Sequence, residues 1–291
     1  MKDNEQKSME ALLARHGFHF SKSKGQNFLI NREIPFMIAQ TSGADEHCGV
    51  LEIGPGIGAL SHELCRRAGK VVAVELDTAL LPILDETMAN YENFKVISAD
   101  VLKLDLSALV REEFDGLTPI VCANLPYNIT TPVMTQLIEA RCFKRLTVLI
   151  QREVAQRLCA RPGTAAYGAF SAYMQYYTAP ELRFEVPRES FLPAPKVTSA
   201  VLCAEVRKTP PVQVTDEAFF FRVVYAAFAL RRKTLVNSLM TAFGALGKER
   251  LTEIVVSCGL DASVRGERLG LEEFARLAAA LREAEAACSH G

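Results

Sequence analysis

A chain of 291 residues is long enough to bury a substantial core and to divide into one large or two modest domains. Hydrophobic residues make up 49% and charged residues 23% of it, which excludes a long disordered polymer. The net charge of −1 excludes a general polycation, so any nucleic-acid contact must come from local basic clusters, charge being felt only within roughly 8 Å at physiological salt.

The N-terminal residues Met1-Lys2-Asp3-Asn4-Glu5 are polar and lack the apolar core of a signal peptide. No run approaches the ~20 apolar residues of a membrane span, so a cytoplasmic, membrane-free protein is expected. The 8 cysteines are scattered without a C-x-x-C pair, which argues against a zinc site or a disulfide framework, and no metal is expected. Residues 1–30 hold a short amphipathic helix (Met9, Leu12, Leu13) and then a basic segment carrying Lys22 and Lys24. From about residue 34, short apolar runs alternate with helical periods. Strands are predicted at Val50 to Ile53, Val71 to Glu75, Phe94 to Ser98, Ile120 to Ala123 and Leu146 to Ile150, with helices at Ala59 to Arg67, Ala79 to Met88 and Pro132 to Ala140. Alternation of this kind predicts an α/β fold with a doubly wound, mostly parallel sheet. Two further strands, Ala172 to Thr178 and Thr198 to Val206, are expected to form an antiparallel pair at the sheet edge. The strand signal ends at Thr209-Pro210-Pro211, and helical periods follow at Phe219 to Leu230, Thr234 to Phe243, Lys248 to Cys258 and Leu271 to Ala286. The expected division is therefore residues 1–208, an α/β domain, and residues 209–291, a small all-α domain.

The first strand runs into Glu52-Ile53-Gly54-Pro55-Gly56-Ile57-Gly58 and directly into a helix. Glycines at Gly54, Gly56 and Gly58 allow a tight turn and close backbone approach to a ligand, although such turns also serve as plain connections. Glu75 closes the second strand, where a carboxylate can accept hydrogen bonds from ribose hydroxyls. Asp100 follows the third strand at the same edge. Asp77 and Asp100 also suit helix N-caps. Together these parts indicate a ribose-bearing cofactor without naming it, since a dinucleotide enzyme would use similar ones.

The fourth strand feeds into Asn124-Leu125-Pro126-Tyr127, the most specific signature in the chain. Adenine's exocyclic amine is a poor nucleophile because its lone pair is delocalised into the ring. A site that accepts both amine hydrogens draws the nitrogen toward tetrahedral geometry and frees that lone pair. The Asn124 side-chain oxygen and the Leu125 carbonyl are the candidate acceptors. Pro126 stiffens the turn, and Tyr127 offers an aromatic face for a splayed-out base.

At this point the sequence resembles the small-subunit ribosomal RNA adenine dimethyltransferase family over about residues 21–282. The resemblance is carried by Lys24-Gly25-Gln26-Asn27-Phe28-Leu29, the Glu52 to Gly58 turn, Glu75, Asp100, Asn124 to Tyr127, and Gln151-Arg152-Glu153-Val154-Ala155. Further pieces are Phe191-Leu192-Pro193-Ala194-Pro195-Lys196-Val197, Phe228 to Leu235 and the closing Leu271 to Leu277. It implies a Rossmann-like class I methyltransferase sheet and S-adenosyl-L-methionine as cofactor, lined by Asn27, Leu29, Gly54, Glu75, Asp100 and Asn124. Glu75 would hold the ribose and Asp100 the cofactor's adenine amine. Phe191 would be a second aromatic face sandwiching the target adenine against Tyr127, a buried loop anchor being the alternative. The implied reaction is dimethylation of adjacent adenosines near the 3′ end of small-subunit RNA, on an assembling 30S subunit; a monomer is the default expectation. Arg231, Arg232 and Lys233, with Lys22 and Lys24, are the basic residues expected to meet RNA.

Competing readings are a large-subunit RNA methyltransferase of the antibiotic-resistance type, a DNA adenine methyltransferase, and a ribosome-assembly factor that keeps the fold without catalysis. The Arg231 to Leu235 run and the closing helix weigh against the first. The absence of a helix-turn-helix pattern weighs against the second, and the intact Asn124 to Tyr127 motif against the third.

Overall fold

The computed structural model describes residues 2–20 and 26–289. Its first half runs α1 (Lys2–Arg15), β1 (Phe28–Leu29), α2 (Glu33–Ser42), β2 (Cys48–Ile53), α3 (Ala59–Cys65), β3 (Lys70–Glu75), α4 (Leu81–Thr87), β4 (Phe94–Ser98), α5 (Leu106–Glu113), β5 (Thr118–Asn124) and α6 (Thr130–Glu139). Then come β6 (Arg145–Gln151), α7 (Arg152–Leu158), α8 (Ala169–Tyr177), β7 (Thr178–Val186), β8 (Phe191–Leu192), β9 (Ser199–Val206), α9 (Glu217–Phe228), α10 (Leu235–Phe243), α11 (Lys248–Ser257) and α12 (Leu271–Ser289). Packing divides the chain into two compact units, Met1–Ala155 with Pro180–Val206, and Gln156–Ala179 with Arg207–Gly291.

The first unit is built on a seven-stranded sheet in the order β4-β3-β2-β5-β6-β9-β7. Strands β4, β3, β2, β5 and β6 are mutually parallel, and β9 runs antiparallel to β6. The expected sheet of mostly parallel strands with an antiparallel edge is therefore present. Residues such as Val50, Leu51, Val71, Val72, Val121 and Cys122 are buried on both faces of the sheet. Their strands read as continuous apolar runs rather than alternating ones because helices cover both sides. Strand order reverses at β2, which has β3 on one side and β5 on the other. The crevice beyond the C-terminal ends of these strands is where a doubly wound sheet receives its ligand.

The amphipathic N-terminal helix forms as α1, and its Met9 and Leu13 are buried in a cluster with Phe18, Phe28, Ile30, Leu80 and Ile83. A second two-stranded sheet pairs β1 with β8 antiparallel, setting Phe28 opposite Leu192 and Leu29 opposite Phe191.

The second unit holds α8 to α12. Asp216 caps α9, accepting from the Phe219 N–H at 2.9 Å, and Thr234 caps α10. The apolar face of α9 (Phe220, Val223, Val224, Ala227) forms its core with Leu239, Leu251, Phe274 and Leu277.

The strand expected at Ala172 to Thr178 is not one: residues 172–177 lie in α8, and the strand begins only at Thr178. An aromatic-rich run with Tyr173, Tyr176 and Tyr177 has high strand propensity, but the spacing of three and four also places the rings on one helical face. That face packs on α9, where Tyr176 meets Phe220 and Phe221 at 5.2 Å centroid distances, and the Tyr177 hydroxyl bonds Glu217 at 2.9 Å. Tertiary burial therefore overrides propensity, and it also groups residues 156–179 with the C-terminal helices rather than with the sheet. No helix among the described residues is long and apolar enough to cross a membrane.

Candidate active site

One cavity of about 190 Å³ lies at the C-terminal edge of β2, β3, β4 and β5, lined by the residues that follow each of those strands. A single water needs only about 10–15 Å³ of such space, so the cavity accepts a ligand many waters in size.

Its floor is the glycine turn. Gly54 and Gly56 have φ of 69° and 61°, a region that L side chains rarely adopt. A side chain on Gly56 would also meet the Phe28 ring at 3.0 Å. Gly58 behaves differently: it has φ 88° and opens α3 against Met88, and it is absent from the lining. The Gly54 N–H donates to the Val74 carbonyl at 2.9 Å, which ties the turn to the end of β3.

Four acidic residues line this cavity, Glu52, Glu75, Asp77 and Asp100, and no basic side chain does so among the described residues. Glu75 is buried and accepts the Asp77 N–H at 2.8 Å. Burial raises its pKa, the neighbouring Asp77 charge adds to that, and backbone N–H groups of Asp77, Gly56 and Leu76 oppose it. Glu52 is 1% exposed and accepts the Ser61 hydroxyl at 2.6 Å. Burial pushes its carboxyl up to about 8, Ser61 acting against the shift and Glu75 reinforcing it. Asp77 and Asp100 both cap short helical turns, accepting from the Ala79 and Leu102 N–H groups at 3.2 and 3.1 Å. Both also line the cavity, so capping a turn does not take either carboxylate out of its wall. The turn after Asp100 is clasped from α6, where the Gln136 Nε2 donates to the Val101 and Leu104 carbonyls at 2.9 and 3.1 Å.

The segment around β1 closes one wall with Gln26, Asn27, Phe28 and Leu29. Gln26 donates to Asp77 at 2.7 Å. The Asn27 carbonyl accepts from the Asn124 Nδ2 at 3.1 Å, which fixes the orientation of the Asn124 amide. Asn124 Oδ1 is thereby left facing other partners, and neither it nor the Leu125 carbonyl accepts a hydrogen bond among the described residues. The rest of the motif is held by its backbone: the Leu125 N–H donates to Leu149, and the Thr130 hydroxyl to the Pro126 carbonyl at 3.2 Å. Tyr127 is half-buried in the lining, and burial raises its pKa.

Asn27, Leu29, Gly54, Gly56, Glu75, Asp100, Asn124, Leu125, Pro126 and Tyr127 thus come together around one cavity. Phe191 does not join them. It is 2% exposed, sits in the hydrophobic core with Leu29, Ile34, Val186 and Val201, and is not among the residues that line the cavity. The β1–β8 pairing explains why: Phe191 stands opposite Leu29 and turns inward. Lys22 and Lys24 lie outside the described residues. Arg231, Arg232 and Lys233 are exposed in the turn between α9 and α10. Arg231 donates to the Ala165 carbonyl and lies 3.9 Å from Glu267, whereas Arg232 and Lys233 have no ion-pair partner among the described residues.

Sequence reasoning passed over Glu52, Gln26 and Gln136. Glu52 had a signal, an acid as the penultimate residue of a strand that is otherwise apolar. Gln26 stood within the Lys24 to Leu29 run without a role of its own, and Gln136 had no signal, because their partners lie 51 and 32–35 residues away.

A family model described as ribosomal RNA adenine dimethylase matches residues 17–281. The chain is 48% identical over 275 residues to a ribosomal RNA small subunit methyltransferase A of Geobacillus sp. (strain WCH70), covering 93% of this chain and 94% of that one. It is 46% identical to the protein of the same name from Lactococcus lactis over 93% and 92% of the two chains. Among solved structures, a dimethyladenosine transferase from Plasmodium falciparum aligns with a TM-score of 0.73 at 22% identity, covering 89% of this chain and 98% of that one. The 23S rRNA methyltransferase ErmE aligns with a TM-score of 0.67 at 25% identity over 88% and 100%.

Proposed function

The chain belongs to the ribosomal RNA adenine dimethylase family, and from that premise we propose that it uses S-adenosyl-L-methionine to dimethylate the 6-amino groups of two adjacent adenosines near the 3′ end of 16S small-subunit rRNA during ribosome biogenesis. The observation that carries this reading is the Asn124 amide. With its Nδ2 committed to Asn27, its Oδ1 and the Leu125 carbonyl, two residues of the cavity lining, accept no hydrogen bond among the described residues. Two acceptors at that place match the two hydrogens of an adenine amine.

The cavity fits the cofactor chemically. A turn of positive-φ glycines admits a ligand close to the backbone. An acid-lined wall without basic side chains among the described residues suits a ligand carrying a sulfonium and an ammonium. Glu75 would hold the ribose and Asp100 the adenine amine, with Asn27, Leu29, Gly54 and Gly56 as wall and floor. The cofactor supplies an already activated methyl group, so the protein needs no metal and no strong base. What the chain contributes is alignment of the amine nitrogen. Asn124 and Leu125 draw on its hydrogens, and Tyr127 offers the stacking face for a flipped base. Arg232 and Lys233, exposed in the helical unit, would meet RNA phosphate. A monomer in the cytoplasm, docking on the assembling 30S subunit, completes the reading. The higher identity to small-subunit enzymes than to ErmE favours 16S over 23S RNA as substrate.

The test is label transfer from S-adenosyl-L-methionine to 30S subunits from cells lacking the modification, with 50S subunits and duplex DNA in parallel. Dimethyladenosine in the 30S sample alone is expected. Label in the 50S sample would move the substrate to the large subunit. No transfer with cofactor binding intact would leave an assembly factor.

A further inference from the structure

Tyr127 is fixed at its far end. Its hydroxyl lies 2.6 Å from the Ser199 Oγ, a contact that joins residues 72 apart in sequence. Ser199 is 0% exposed and opens β9, in register with Gln151 at the end of β6. The partner therefore sits inside a paired ladder and cannot swing. Tyr127, half-buried, lines the cavity while its hydroxyl reaches back into the sheet. Burial raises the pKa of the phenol, the Ser199 bond acting against that shift. The backbone bonds at Leu125 and Pro126 fix the turn but leave the ring's own torsions to be settled by something else. A ring already ordered avoids the entropy that a free ring would lose on stacking.

We propose that Ser199 is a positioning residue for the target base, pinning the Tyr127 ring in the orientation that receives a flipped adenine. This rests on the reading of Tyr127 as the stacking face. Ser199 is not among the residues that line the cavity and acts through the phenol.

The test compares Ser199→Ala, Tyr127→Phe and the double variant on 30S subunits lacking the modification, with kcat and the KM for S-adenosyl-L-methionine measured separately. Stacking is read in parallel from the fluorescence of RNA bearing 2-aminopurine at the target position. Each single variant is expected to lower kcat about tenfold, the scale of one lost hydrogen bond, with the cofactor KM unchanged and the 2-aminopurine less quenched. The double variant should be no worse than either single, since both remove the same bond. Ser199→Thr, which keeps the hydroxyl, should retain most of the rate. Wild-type kcat and quenching in Ser199→Ala, or additive losses in the double variant, would overturn the proposal. If Ser199→Ala does not fold, Tyr127→Phe removes the bond from the cavity side and decides alone. Tyr127→Ala tests the premise separately: undiminished quenching and transfer there would remove Tyr127 as the stacking face, whatever Ser199 does.

Discussion

Asn124 owes its orientation to a main-chain carbonyl 97 residues away. Replacing it with Ala should lower methyl transfer by on the order of a hundredfold, the usual cost of losing one well-aimed polar contact at a reacting centre. The measurement is single-turnover label transfer alongside cofactor binding; transfer at the wild-type rate would remove Asn124 from the chemistry. Glu52 gives a pH prediction. Its folded pKa of about 8 lies above its ordinary 4.5, so the folded protein keeps a proton that the unfolded chain releases. The stability linked to Glu52 is therefore fully present below 4.5 and is lost as pH rises through about 8. Glu52→Gln should flatten the fall in melting temperature across that window, and parallel pH profiles for the two proteins would show that Glu52 is not buried as a neutral acid. The individual acids were readable as strand-end carboxylates. Which of them would be neutral was not, because that follows from burial against Ser61 and Glu75.

The parallel strands and the helices between them were legible because both faces of the sheet are covered, leaving uninterrupted apolar runs of strand length. Element α8 was misread for a related reason, its aromatic rings satisfying strand propensity and helical spacing at once. Elements such as α5, short and capped by Asp105, were not singled out at all. A clasp such as Gln136 on α6 illustrates what no local pattern reveals. Its Nε2 serves two carbonyls of the turn that carries Asp100, while its Oε1 is buried without a partner among the described residues. Gln136→Leu loses two donated bonds but also removes that unpartnered oxygen, so the expected destabilisation is modest, about 1–2 kcal/mol. Cofactor affinity should fall with it as the Asp100 turn loosens. Calorimetric titration with S-adenosyl-L-methionine checks this, and unchanged affinity would mean the turn stands without the clasp.

With a net charge of −1, attraction to RNA phosphate depends on where individual cations are placed. Arg231 is engaged by Ala165 and Glu267 within the helical unit, whereas Arg232 and Lys233 are exposed and unpaired among the described residues. The two are thereby distinguished from their neighbour. Replacing Arg232 and Lys233 by Ala should flatten the salt dependence of RNA binding by roughly 1.4–1.8 in log–log slope, two phosphate contacts' worth, with little change in melting temperature. Arg231→Ala should instead lower the melting temperature. A double variant with the wild-type slope would show that these side chains do not meet phosphate.

By itself the sequence determined the parallel sheet, the glycine turn with its acids, and the Asn124 to Tyr127 motif, because each is written in neighbouring residues with a local physical consequence. Only the tertiary structure decided that Asn27 orients Asn124, that Ser199 holds Tyr127, that Phe191 turns into the core, and that residues 156–179 join the helical unit. Those outcomes depend on partners tens of residues away, and burial, which sets them, is a property of the folded whole.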